Sequence, residues 1–123
     1  WQIPPDDAVL IAPAYTFLLA NQPVSYQFWL DVGSSAWSER LYQPLTHPLI
    51  LSRHWQPDRV WTDVDEFEYN RETLYRLVLG LARRCRQRIF LGLSELGESG
   101  FESRGLLVRA IQVVLQQSRG YNR

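Results

Sequence analysis

"GLARRCRQRIFLG" (residues 80–92) carries the end of a helical pattern into the start of a strand pattern. Upstream, Leu74, Leu77, Val78, Leu81 and Cys85 recur at helical spacing and mark one apolar stripe. Downstream, "RIFLGL" (88–93) is a short apolar run of strand type. Thr62 or Asn70 can cap the helix, and Asp63, Asp65, Glu66 and Glu68 crowd its first turns. Negative charge is favoured there by the helix dipole. These acids therefore read as a solvated helix start. Paired carboxylates can run acid–base chemistry or hold a metal, but no lysine or nucleophile accompanies them.

Outward from this junction, "DDAVLIAPA" (6–14) is predicted to be a buried strand closed by Pro13. "YTFLLANQPV" (15–24) fits either a short helix or an irregular loop. "VSYQFWLDVGSS" (24–35) is a second strand, and its consecutive Phe28, Trp29 and Leu30 predict cover on both faces. Residues 35–59 are punctuated by Pro44, Pro48 and Pro57, with short turns expected between them. Trp37, Leu41, Leu45 and Leu49 are the candidate anchors there, and Trp55 and Trp61 are expected to pin a loop. Residues 94–105 form a Gly- and Ser-rich loop. A closing helix over 106–119 has Ser103 as its candidate cap and a stripe of Leu106, Leu107, Ala110, Ile111 and Val114. The order strand, strand, helix, strand, helix predicts an α/β fold, a small mainly parallel sheet flanked by helices, in one domain over 1–123.

Composition removes several function classes. The formal net charge is zero, which argues against strong sequence-independent binding to DNA or anionic membranes. No apolar run reaches membrane-spanning length, so no membrane partner is expected. The single cysteine, Cys85, excludes a disulfide framework and suits a reducing, cytoplasmic setting. All thirteen lysine-or-arginine positions are arginine, so a phosphate-binding loop of the GxxxxGK[ST] kind and Schiff-base chemistry are both ruled out. There is no methionine, and we expect a fragment of a longer polypeptide.

The arginines are not equivalent. A helix advances about 100° per residue. Arg83 then points away from Leu74, Arg86 lies to the flank, and Arg84, seven positions after Leu77, leans toward the buried stripe. Cations at a helix C-terminus are ordinary for Arg83, Arg86 and Arg88. A core-side arginine needs a carboxylate, a carbonyl or a phosphate. Asp31 ends a strand, where α/β sheets place functional groups, but a turn cap is the commoner role. His47 and His54 do not meet zinc-ligand spacing. Neither a G-x-S-x-G elbow nor a GxGxxG loop is present.

The layout "GLARRCRQRIFLG" resembles the end of the second motor domain of UvrD/Rep-type superfamily 1 DNA helicases. There a long helix with a pattern like VALTRAR runs into an apolar strand like RLYL. Arg84 and Arg86 fall on the two arginines of that pattern and "RIFL" on the strand. "YTFLLANQPVSYQFWLDV" (15–32) resembles the family segment like TLHSAKGLEFDYVFLPG, with Thr16 on the threonine, Ala20 on the alanine and "YQFWL" on the strand. This implies a RecA-like, P-loop NTPase-type half domain without its P-loop. It casts Arg84 as an arginine finger at the γ-phosphate, with Arg86 beside it at the nucleotide and Thr16 at nucleic acid. ATP and Mg²⁺ would be bound only in the intact parent, and none by the fragment. The partners implied are the parent's other domains and DNA, in repair or recombination.

The chain departs from that pattern. Leu18, Asn21, Gln22 and Val24 stand where the family has His, Lys, Gly and Glu, and Arg83 stands where it has Thr. These departures favour the alternative, a non-catalytic helicase-derived interaction domain. A self-contained α/β enzyme is the least favoured reading, since no complete catalytic set can be assembled from the chain.

Overall fold

A computed structural model describes residues 8–38, 51–53, 55, 56, 58–94, 100 and 105–121. Among the described residues the regular elements are, in chain order, α1 (Ala14–Ala20), β1 (Val24–Trp29), α2 (Asp63–Arg83), β2 (Cys85–Leu91) and α3 (Leu106–Tyr121). A single 3₁₀ turn, Ser35–Trp37, follows β1.

α2 is the backbone of the architecture, and its start is built by its sequence. The Thr62 hydroxyl accepts from the Asp65 N–H, and the Asp65 carboxylate accepts from the Thr62 N–H. This reciprocal capping box satisfies donors that the first helical turn would otherwise leave open. Thr62 is thus the cap, and Asn70 lies inside the helix, its side chain donating to Glu66. Glu68–Arg71 and Glu72–Arg76 ion pairs lace the solvent face. Leu74, Leu77 and Leu81 are buried on the opposite face. Cys85 leaves this stripe, because the helix ends at Arg83 and Cys85 already belongs to β2.

β1 and β2 pair in parallel, with Phe28 opposite Phe90 and Trp29 opposite Leu91. The register shifts between Val24 and Tyr26, and β2 begins three residues before the apolar run that predicted it. Two bonds extend the ladder beyond Trp29: Gly92 N–H to the Trp29 carbonyl at 2.7 Å and Val32 N–H to the Gly92 carbonyl at 3.0 Å. The element order, with a helix between two parallel neighbours, makes this an α/β arrangement.

Three expectations are corrected. Residues 8–13 form no strand. Val9 and Ile11 are almost fully exposed, because no neighbouring strand offers them a ladder among the described residues. Pro13 instead caps α1, its carbonyl accepting from Phe17. Second, β1 is covered on one face only: Gln27 and Trp29 are buried, while Tyr26 and Phe28 are exposed. Third, the α3 stripe holds in part: Leu107 is buried and Leu106 and Ile111 pack against the core, but Val108 is buried as well and Ala110 and Val114 face solvent. The expectations for Leu41, Leu45, Leu49, His47, His54 and Ser103 lie outside the described residues.

Among the described residues, Trp29, Val32, Leu74, Leu77, Leu81 and Leu107 form the core, with α1 packed on through Phe17 and Leu18. Each such large apolar side chain contributes about 1.5–3 kcal/mol when fully buried. Gln27 is the polar member: its amide donates to the Leu81 carbonyl at 2.9 Å, and its oxygen accepts from the Trp29 indole at 2.8 Å. Trp37 is an anchor as predicted, with its indole shared between the carbonyls of Leu30 and Asp31. α3 docks through Gly105, whose N–H donates to the Gly33 carbonyl at 2.8 Å. A Cβ there would lie 2.6 Å from that carbonyl oxygen.

Candidate functional site

Arg84 sits where α2 gives way to β2. Its backbone is held on both sides: the N–H donates to Leu81 at 3.0 Å, and the carbonyl accepts from Val24 N–H at 2.8 Å. The side chain folds back along the helix. Nη1 donates to the Gly80 carbonyl at 2.8 Å, and Nη2 donates to the Asn21 Oδ1 at 2.7 Å. Nε is buried and has no hydrogen-bond partner.

Asn21 owes its position to α1. The helix ends there in a left-handed residue, φ 50°, with the Asn21 N–H returning to the Leu18 carbonyl at 3.1 Å. Asn tolerates that conformation better than most side chains. Gly80 gives room on the other side: a Cβ there would meet Leu18 Cδ2 at 3.1 Å and Arg84 Nη1 at 3.7 Å.

The guanidinium therefore rests on two neutral oxygens. Among the described residues, ion pairs join Arg59 to Asp65, Arg71 to Glu68 and Arg76 to Glu72, and none reaches Arg84. The negative end of the α2 dipole is the nearby compensation. A guanidinium has five N–H donors, and two of them are engaged here. This arrangement can offer a fork of donors to an anion supplied from outside the chain.

The other predicted site residues are more dispersed. Arg86 is exposed on β2 and lies off the helix flank expected for it, because the strand begins at Cys85. Arg83, the last residue of α2, is exposed. Thr16 is half-buried within α1. Asp31 is exposed, adopts φ 50° and accepts Ser34 N–H on its carbonyl, so it serves a turn. Among the described residues no group of histidine, cysteine and carboxylate side chains is set to hold a metal ion, and no helix is long and apolar enough to cross a membrane.

Sequence reasoning missed Asn21 as the acceptor for Arg84. The available signal was local: an Asn directly after an apolar helical run is a C-cap pattern. It also missed Gln27, whose buried amide joins β1 to the Leu81 carbonyl of α2 and holds the Trp29 indole within β1. Comparison of the chain with protein families, with curated proteins and with solved structures returned no match.

Proposed function

We propose that the chain is a C-terminal, RecA-like motor-domain piece of a UvrD-like ATP-dependent DNA helicase. In the intact protein it completes an ATP site across a domain cleft, and Arg84 reaches the γ-phosphate. One observation carries this reading. The two stretches that bear the resemblance, far apart in sequence, pair as parallel neighbours and meet at the Arg84–Asn21 hydrogen bond. A guanidinium on neutral acceptors can leave them for a phosphate, since the phosphate adds a full opposite charge and can accept two parallel N–H bonds. Arg84 by itself fits one phosphate contact and no more. The nucleotide, Mg²⁺ and the P-loop lysine belong to the other motor domain in this reading, because this chain has no lysine. Thr16 and Arg86 would assist at DNA and nucleotide.

A non-catalytic, helicase-derived interaction domain is the second reading. Asn21 favours it, because this side chain, in the place of the family's lysine, now holds Arg84 back. The polypeptide that contains the chain separates the two. A GxxxxGK[ST] segment several hundred residues before Trp1, with DNA-stimulated ATP hydrolysis that Arg84→Ala abolishes, supports the helicase. No such segment, or wild-type turnover in Arg84→Ala, refutes it.

A further inference from the structure

The solvent face of α2 carries a second feature, unrelated to Arg84. Asp65, Glu68, Tyr69, Glu72 and Tyr75 recur at helical spacing opposite the buried leucines. The segment before α2 lays Trp55, Arg59 and Trp61 against them. A cavity of about 730 Å³ lies between the two, and Arg84 and Asp31 do not line it.

Its aromatic wall is ordered. Trp55 and Trp61 are 5.5 Å apart at 40°, and Trp61 meets Tyr69 edge-on at 6.4 Å. The Trp61 indole donates to Glu66 at 2.9 Å, which fixes its ring. Arg59 places its guanidinium carbon 5.0 Å from the centre of the Trp55 ring and pairs with Asp65. The cavity thus already shows which charge its aromatic wall accepts. Its lining holds three carboxylates, each paired with a guanidinium: Asp65 with Arg59, Glu68 with Arg71 and Glu72 with Arg76. Both guanidinia of the lining, Arg59 and Arg71, are thus already engaged and do not favour a phosphate-bearing ligand. Trp55 and Trp61 also contact each other, so no base can slide between them.

We propose that this cavity binds an organic cation of the quaternary ammonium class. Trp55, Trp61 and Tyr69 supply cation–π attraction, and Glu68 and Glu72, whose exposed pairs with Arg71 and Arg76 are weak and can open, supply the counter-charge. Aromatic surroundings of this kind suit a cation that makes no hydrogen bonds. Arg59 is the built-in occupant, and a ligand competes with it for the Trp55 face.

Choline and its uncharged carbon isostere, 3,3-dimethyl-1-butanol, test this on the chain by NMR of the indole N–H groups. Choline should shift the Trp55 and Trp61 signals saturably, with Kd on the order of 1 mM, as a few shared cation–π contacts allow. The isostere should bind at least about fivefold more weakly, since it lacks the charge. Glu68→Gln with Glu72→Gln should weaken choline about fivefold, and Arg59→Ala should tighten it. These positions are exposed, and helical circular dichroism reports whether each variant folds. Equal binding of the isostere, no saturable shift at about 20 mM choline, or weaker binding in Arg59→Ala would overturn the proposal.

Discussion

Arg84 and Asn21, 63 positions apart, are joined by a 2.7 Å hydrogen bond from Nη2 to Oδ1. The bond links the left-handed end of α1 to the last turn of α2, and it leaves the guanidinium on neutral acceptors alone. Backbone and side chain of Asn21 can be tested apart. Asn21→Ala should destabilise the fold by about 1–2 kcal/mol, because alanine resists φ 50°. Asn21→Gly relieves the strain while still releasing Arg84, so its loss should be smaller. Urea unfolding of both variants checks this, and equal losses would contradict it.

Gln27 is the only amide in the described core that is buried and bonded at both ends. Gln27→Leu leaves the buried Trp29 indole without a partner, while the Leu81 carbonyl keeps the Arg84 N–H. An unpaired buried donor costs about 1–3 kcal/mol, so the variant should lose about that much despite its added apolar surface. An unchanged unfolding midpoint would count against the bonding described.

Gly105→Ala tests how α3 is attached. The new Cβ would press on the carbonyl oxygens of Gly33 at 2.6 Å and Ser34 at 2.8 Å, both backbone atoms that cannot rotate away. We expect a loss of about 1–3 kcal/mol. Amide exchange should speed up in α3 first, leaving β1–β2 protected. Uniform acceleration would show that α3 does not dock through this contact.

Asp65 gives the fold an acid-sensitive element. The Thr62 hydroxyl foremost holds its carboxyl below the ordinary 3.8; burial opposes this in part, and the Thr62 N–H and Arg59 each add a smaller lowering effect. A folded value below the unfolded one stabilises the fold fully above the unfolded value. That contribution is lost as pH falls through the folded value. Asp65→Asn should therefore lower stability near neutrality and flatten the acid loss below about pH 4, read from urea midpoints between about pH 6 and pH 2. Thr62→Ala should lose about 1 kcal/mol through the cap. Parallel acid profiles for wild type and Asp65→Asn would contradict the assignment.

How much of this was legible depended on locality. The α2 stripe from Leu74 to Leu81 and the acidic first turn are written in consecutive residues and folded as read, whereas the sequence leaves the cap open between Thr62 and Asn70, and Cys85 belongs to β2. The phase that turned Arg84 toward the packed side was legible too. Residues 8–13 misled because β-branched apolar runs look like strands, whereas a strand also needs a neighbour to pair with. The start of β2 at Cys85 is set by pairing with Val24, which the run of charges conceals. The Arg84–Asn21 bond and the Trp55–Trp61 wall join side chains through tertiary packing, for which periodicity has no signal.

Arg84 at a phosphate is the central claim, and its most direct test separates turnover from nucleotide affinity. In the natural full-length polypeptide, kcat and KM for ATP would be measured with DNA present for wild type, Arg84→Lys and Arg84→Ala. An arginine that acts on the transferring phosphoryl group should lose about 10³-fold or more in kcat on either substitution, because lysine lacks the bidentate fork, while KM changes little. Wild-type kcat in Arg84→Ala would contradict the account and leave Arg84 as a structural tie between α2 and α1.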